Sequence, residues 1–509
     1  MFGGTVDYEI AAPRAGALVE SLRGFGYSTG AAIADLVDNS ISAGARNIWL
    51  DCRFDGPSSC IALLDDGVGM TEPELRNAMI LGARNPRDAR GSEDLGRFGL
   101  GLKTASFSQC RCLTVASRRN GVTTVRRWDL DYIANSPGDE WRLLMGPRPG
   151  SGHLLGALDE QSSGTVVVWE ALDRITAGML AGDRRSEDAF FQVIEHVERH
   201  LAMVFHQFLD GKDPVRLFIN GRRIKAWDPF IRSHPATEAT PAEVIPAADG
   251  GVELQGFVLP HKDQLSEQDA LKGGGTQGWA AQQGFYVYRG GRLLVAGGWL
   301  GLGTPRPWTM EEPFRLARLR VEFGNRSDAT WDIDVKKSTA RPPRQLRLRM
   351  TALAEIVRGK ARDVFAHRGS YGKRESVTDL EATWLTGSAS TTARYRINRR
   401  HPLVAAALET PADRATIEAA LQLIELSVPV ERIWLDTAER GEVSDRAVVA
   451  EAPPELADIG RSLVAHWTGR LGMTSDEARR RLLSTDPFHS YPALVEGLVM
   501  NANVTKAGQ

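Results

Sequence analysis

Residues 30–44, GAAIADLVDNSISAG, constrain what this chain can fold into more than any other stretch. Ile33, Leu36, Val37 and Ile41 recur at steps of three and four, the spacing of one face of an α-helix. Ser28 and Thr29 stand just ahead as N-cap candidates, and Gly44 ends the run. The other face is polar in an ordered way. Asp35 and Asn39 are four residues apart, so they lie one above the other, and Asp38 and Ser42 form a second such pair beside them. A carboxylate over a carboxamide can activate a water and hold a hard cation. The same residues also suit the solvated face of an ordinary core helix.

Three glycine-bearing stretches bear on that choice. Residues 62–70, ALLDDGVGM, are an apolar run that breaks into a turn carrying Asp65, Gly67 and Gly69. Residues 95–109, LGRFGLGLKTASFSQ, place Gly96, Phe98, Gly99, Leu100 and Gly101 ahead of a helix-like segment that carries Lys103. Residues 163–170, SGTVVVWE, are a strand opening on Gly164 and Thr165. A glycine triplet alone is often a plain turn. The four stretches together, in this order and at these spacings, resemble the ATP-site motifs of the GHKL superfamily, the Bergerat-fold ATPases: gyrase-type topoisomerases, MutL, the heat-shock ninety chaperones, histidine kinases and MORC proteins. The phrases DNS-x-x-A, GRFGLGLKTAS and GT-x-V-x-W look closest to prokaryotic MORC- and MutL-like members.

The chain reads as α+β in three parts: the resemblance implies a GHKL α/β sandwich that binds ATP over residues 1–178 and a ribosomal S5-like transducer domain over 179–366, and the residues it does not cover, 367–509, read as a mostly helical domain. It implies a role for each matching residue. Asp35 holds the carboxylate position that orients and deprotonates the attacking water. Asn39 holds the Mg²⁺ position. Asp65 accepts from the adenine amino group, and Thr165 supports it through an adenine-bound water. Gly67 and Gly69 bring the backbone close to the nucleotide. Gly96, Phe98, Gly99, Leu100 and Gly101 open a helix whose N–H groups cradle phosphate, with Lys103 one turn in. The polar loop 81–95, with Arg84, Arg87 and Arg90, matches the lid that folds over the phosphates. A transducer lysine that reaches the γ-phosphate matches Lys336 or Lys337.

Two positions depart from the family pattern. Asp35 stands where most relatives carry glutamate, a loss of roughly 1.5 Å of reach, and a base must come within about 2.6–3.2 Å of its proton. Ser42 stands where aspartate is usual. The resemblance further implies an ATP-dependent homodimer, DNA as a partner, and a separate nuclease or other defence-operon protein, since no cluster of nuclease acids occurs here. Three rival readings are a nucleotide-gated module with little turnover, a chaperone of the heat-shock ninety type, and a histidine kinase, against which stands the lack of a phospho-acceptor helix ahead of the site.

Composition allows this and adds little. The chain has 509 residues, 42% apolar and 25% charged, with a formal net charge of −2, so nothing global asks for a polyanion or a membrane. No stretch approaches the roughly 18 apolar residues of a membrane span, and the N-terminus lacks the basic and apolar regions of a signal peptide, so a cytoplasmic location is expected. Cys52, Cys60, Cys110 and Cys112 form no C-x-x-C pair and read as buried free thiols.

The remaining chain follows in order. Residues 15–22 read as a short helix, and NIWLDCRF and PSSCIALLDD as two strands. TEPELRNAMI is a helix capped by Thr71 with Glu74 three residues on. Strands are expected at 111–118 and 122–130, and an amphipathic helix over 187–209. VRLFING, VELQGFVLP, GFYVYRGGRLLVAGG and RLARLRVEF read as strands, the third a hairpin turning at Gly290–Gly291. Residues 341–374 are rich in Arg and Lys, with an apolar stripe of Leu346, Met350, Leu353 and Val357. A basic helical face serves phosphate-backbone contact and plain solvation equally well. ARYRINRRHP at 393–402 is a second basic stretch, and the rest reads as helical.

Overall fold

The computed structural model describes residues 9, 13–83 (25 aside), 101–333 apart from 137–139, 247–249, 262–263, 276, 325–326 and 328–329, then 340–366, and beyond these 383–386, 395–409, 414–428, 454–485, 487–488 and 491–498. The chain divides into two compact units, Met1–Gly372 and Lys373–Gln509.

Among its described residues the first unit holds two large sheets and one two-stranded pair. One has eight strands: β1 (Asn47–Arg53), β2 (Cys60–Asp65), β3 (Cys112–Arg119), β4 (Val122–Asp129), β5 (Leu144–Met145), β6 (Gly164–Glu170), β7 (Arg216–Ile219) and β8 (Arg222–Arg223). Their spatial order is β5-β4-β3-β6-β2-β1-β7-β8. Only β1 and β7 run parallel; the other neighbours are antiparallel. The last two strands lie beyond residue 178, so this sheet takes in chain that follows the Arg184–Val204 helix.

Alternation sets the two faces of this sheet. Ile61, Leu63, Leu113, Val115, Val167 and Trp169 point into the main core with Ile33, Leu36 and Val37. Leu64, Ala116, Val166 and Val168 point the other way, onto Leu154, Leu155 and Leu158. The helices on the core side are α1 (Ala15–Arg23), α2 (Thr29–Ser42), α3 (Glu72–Met79), α4 (Gly101–Phe107), α5 (Leu130–Ala134) and α6 (Arg184–Val204). The Glu74 carboxylate accepts from the Thr71 N–H at 2.8 Å, closing the expected capping box on α3. The helix expected over 187–209 is broken at Phe205 into α6 and α7 (His206–Leu209).

The second sheet contains β9 (Glu238–Ala239), β10 (Glu243–Ile245), β11 (Val252–Val258), β12 (Gly284–Arg289), β13 (Arg292–Ala296) and β14 (Ala317–Phe323). Its order is β10-β11-β14-β12-β13, with β9 beside β11. One face packs on α9 (Arg344–Ala366), the helix that follows α8 (Glu267–Gly274), through Leu346, Met350, Leu353 and Val357, the stripe read from the sequence. The other presents Phe257, Tyr286, Tyr288 and Leu293 with Phe230, against which Met203 of α6 packs. The Tyr288 hydroxyl meets His206 Nε2 of α7 at 2.8 Å, both side chains buried.

The Lys373–Gln509 unit is mainly helical among its described residues, with helices Pro402–Leu408, Arg414–Leu426, Pro454–Gly469 and Ser475–Leu483. A short pair of strands, Trp384–Thr386 and Tyr395–Ile397, was not expected. Leu463, Trp467, Leu482 and Phe488 centre its core. Arg399, within the second basic stretch, is held by Glu418 at 2.8 Å and by Glu425.

Candidate nucleotide site

Helix α2 packs against α4 and α6, and its polar side is not solvated as a whole. Ser28 Oγ accepts from the Ala31 N–H at 3.2 Å and starts the helix. Asp35 and Asp38 are 4% and 2% exposed, whereas Asn39 and Ser42 face outward. A buried carboxylate must find partners, and both do. The Tyr27 hydroxyl donates to Asp35 Oδ2 at 3.0 Å. Arg292 Nε, at the start of β13, donates to Asp38 Oδ1 and Oδ2 at 3.1 and 3.0 Å. Its Nη2 comes to 3.9 Å from Asp35 Oδ1. His200 of α6 lies beside this pair; burial and the Arg292 charge push its imidazole down to about 4, against an opposing pull from Asp38.

The second cluster forms where β2, β6 and β3 run side by side. Asp65 faces Thr165 in register, and Thr165 faces Ser117. Ser40 Oγ of α2 donates to Asp65 Oδ2 at 2.8 Å, and the Gly67 N–H donates to Oδ1 at 3.0 Å. Burial pushes the Asp65 carboxyl above the usual carboxylate range, while the bonds from Ser40, Gly67 and Thr165 pull it back. Ser117 Oγ donates to the Gly164 carbonyl at 3.0 Å, accepts from the Met70 N–H at 2.8 Å, and meets Thr165 Oγ1 at 2.9 Å. Ser163 Oγ donates to the Gly67 carbonyl at 2.9 Å. The turn after β2 is thereby stitched onto β6 and β3.

Gly69 has a second reason to be glycine. Its φ is +66°, and a Cβ there would stand 2.0 Å from the Arg118 carbonyl oxygen. The space a side chain would need is taken by the protein's own backbone.

Asp66, next to the key aspartate, has a separate task. It accepts from the Arg46 and Asn47 N–H groups at 2.7 and 2.8 Å and from Asn47 Nδ2 at 2.6 Å. Burial acts to raise its carboxyl, but the bonds from Asn47 and Arg46 outweigh that and hold it below the usual range.

Lys103 is buried on α4, and its Nζ donates to the Ala78 carbonyl at 2.8 Å, in the last turn of α3. A cation suits the C-terminal end of a helix. Gly101 opens α4 beside α2; a Cβ on it would stand 3.5 Å from Asp35 Oδ2. Gly96, Phe98, Gly99 and Leu100, the lid arginines Arg84, Arg87 and Arg90, and Lys336 and Lys337 lie outside the described residues. The described strands Asp332–Ile333 and Ala340–Arg341, on either side of the two lysines, pair with each other.

Of the sequence-predicted residues, the structure brings Asp35 and Asn39 onto one helix and Asp65, Gly67, Gly69 and Thr165 around the end of β2. Tyr27, Ser40, Ser117 and Arg292 were missed. Ser40 carried a weak signal, since it lies one residue from Asn39 on a helix read as amphipathic. Arg292 carried none beyond its place after a hairpin turn.

Residues 27–165 match the family described as histidine kinase-, DNA gyrase B-, and HSP90-like ATPase. Over these residues the chain is similar to GHKL-type ATPases. A stretch of 93 residues is 36% identical to a protein named ATPase morc-1 from Caenorhabditis elegans, over 18% of this chain and 10% of that protein. The chain thus matches about a tenth of that relative's length. The matching segment contains α2 to β6 up to Thr165, and so both clusters except His200 and Arg292. Among the described residues no helix is long and apolar enough to cross a membrane. All four cysteines are free and buried, and burial raises each thiol.

Proposed function

We propose that this chain is a Mg-ATP-dependent ATPase whose nucleotide cycle drives a DNA-associated clamp or remodelling activity. In this reading it works as an ATP-dependent homodimer with a separate nuclease in prokaryotic defence. One observation carries the ATP-binding part: Asp65 is buried yet held by Ser40, Gly67 and Thr165, on a strand end tied to the helix that bears Asp35 and Asn39. An acceptor fixed in that way suits the amino edge of a base.

Asp65 then takes the adenine amino group, with Thr165 beside it. Asp35 orients the attacking water and takes its proton, and Tyr27 holds its carboxylate in one orientation. Gly96, Phe98, Gly99, Leu100, Gly101 and Lys103 cradle the phosphates, and Lys336 or Lys337 reaches the γ-phosphate. The outward-facing Asn39 offers a hard carboxamide oxygen that fits Mg²⁺, an ion usually held by one or two protein oxygens with phosphate and water completing its shell. When bound, the ion would supply neutralisation of phosphate charge. The three-part division at 178 and 366, the dimer, the DNA and the nuclease partner rest on the likeness of motifs.

A nucleotide-gated module with little turnover is favoured by one observation. The short Asp35 side chain is engaged by Tyr27 at 3.0 Å and drawn toward Arg292 at 3.9 Å. Steady-state ATP hydrolysis by wild type and Asp35→Asn, with and without duplex DNA, separates the two. Wild-type turnover that Asp35→Asn abolishes and DNA stimulates supports the ATPase clamp. ATP binding without turnover in either protein selects the gated module. Absence of ATP binding overturns both.

A further inference from the structure

We propose that Arg292, supplied by the second sheet, is a positioning residue for Asp35 and the contact through which nucleotide occupancy reaches the β12–β13 hairpin. The proposal rests on the ATP-site reading above and goes beyond it, because Arg292 lies outside the segment that matches the GHKL-type family.

Asp35 and Asp38 are three residues apart on α2 and therefore share a side of the helix. Both are buried, and two carboxylates at that spacing repel one another unless a cation stands between them. Arg292 is that cation. Its Nε serves both oxygens of Asp38, its Nη1 donates to the Leu293 carbonyl at 2.9 Å, and Nη2 faces Asp35 Oδ1 at 3.9 Å. The guanidinium also lies over the Phe205 ring, 5.9 Å from its centre, at the break between α6 and α7. Asp38 therefore anchors the arginine and keeps it short of a direct bond to Asp35. Tyr27 holds Asp35 from the opposite oxygen. A carboxylate drawn from both ends has one orientation, which is what a base must have to meet a water.

The hairpin that carries Arg292 is tied to the first half of the unit at a second point, His206 to Tyr288, and Tyr288 pairs with Leu293 across the two strands. A shift of α2 when the site fills therefore pulls on β13 through the ion pair. Only an arginine spans this geometry: a lysine keeps the charge but cannot serve Asp38 and face Asp35 with separate nitrogens.

The test compares wild type, Arg292→Lys and the charge-neutral pair Asp38→Asn with Arg292→Gln. ATP affinity is measured first, by titration calorimetry with Mg-ATP. Steady-state kcat and KM and amide exchange of residues 284–296 with and without ATP then follow. The expected result for Arg292→Lys is ATP affinity within threefold of wild type, kcat at least tenfold lower with KM little changed, and loss of the ATP-induced slowing of exchange in the hairpin. The double variant, which keeps the net charge of the cluster and leaves Asp35 held by the Tyr27 hydroxyl, is expected to fold and show the same losses. Wild-type kcat and hairpin protection retained in Arg292→Lys overturn the proposal, as do parallel losses of stability, affinity and kcat in both variants. If wild type binds ATP without turnover, hairpin exchange alone decides: protection lost in Arg292→Lys supports the coupling, and absence of protection in wild type overturns it. Failure of wild type to bind ATP overturns the ATP-site reading itself and is seen at the first titration.

Discussion

Ser40 and Asp65 join helix α2 to the end of β2 through a buried 2.8 Å hydrogen bond, from a hydroxyl donor to a carboxylate whose other oxygen is held by the Gly67 N–H. The carboxylate is fixed before any ligand arrives. Asp65→Asn exchanges an ionisable acceptor for an amide that donates on one side. A hydrogen bond to a charged group is worth about 1.5–3 kcal/mol, so ATP affinity should fall roughly 10- to 100-fold. Titration calorimetry with Mg-ATP checks this, with circular dichroism to confirm the fold.

Gly69→Ala should be much more damaging than Gly82→Ala. Both glycines have positive φ, +66° and +72°, but a Cβ at Gly69 would meet the Arg118 carbonyl at 2.0 Å, while nothing lies within 4 Å of one at Gly82. The expected losses are about 1 kcal/mol at Gly82 and at least about 3 kcal/mol at Gly69, where the turn must move off β3. Urea unfolding of the two variants measures the difference.

Removing one member of the Arg292–Asp38 pair leaves a buried charge without its partner. Arg292→Met alone should cost about 3–5 kcal/mol, and the double variant Arg292→Met with Asp38→Asn clearly less. Equal losses in single and double variants would show that the arginine's stem, and not its charge, holds the two sheets together.

Stability should fall as pH drops from 6.5 toward 4. Burial pushes the His206 imidazole down to about 4, opposed by Asp228, and burial with Arg292 does the same to His200. The unfolded chain binds these protons near pH 6.5 and the folded chain only near 4, so protons favour unfolding across that window and stability is complete above it. Each histidine contributes roughly 3 kcal/mol at most by this route. Urea midpoints from pH 7 to 4.5 test it, and His206→Asn should flatten part of the slope.

Trp467 is buried at the centre of the Lys373–Gln509 core, with the Arg481 guanidinium 5.1 Å from its ring centre. Trp467→Ala should cost that unit about 3–5 kcal/mol and leave ATP affinity unchanged. Calorimetric melting, read together with ATP titration, separates the two effects.

Much of the fold could be read ahead because it depends on local periodicity. The α2 stripe of Ile33, Leu36 and Val37, the strands β2 and β6, the Thr71–Glu74 box and the α9 stripe all reappear as buried or capped positions. The site was legible only as far as its motifs. Periodicity marks Asp35 and Asp38 as polar and assigns them to solvent; they are buried because Arg292, more than 250 residues later, comes to them. Ser117 reaches Thr165 only through the register of β3 on β6. Arg399 looked available to a polyanion until its partners Glu418 and Glu425 arrived from the next helix. The break at Phe205 leaves no mark in the spacing of apolar residues, which continues through it.

The parallel pairing of β1 with β7 bears on where this chain can be cut. The recognisable segment ends at Thr165, yet β1 is completed by Arg216–Ile219, and Phe190, Ile194, Val197 and Leu201 of α6 close the core over it. A fragment stopped after β6 would display the backbone donors and acceptors of β1 as an open edge, the template on which strands of separate molecules add to one another. The segment that is shared among relatives is shorter than the segment that can fold without sticking to its own copies.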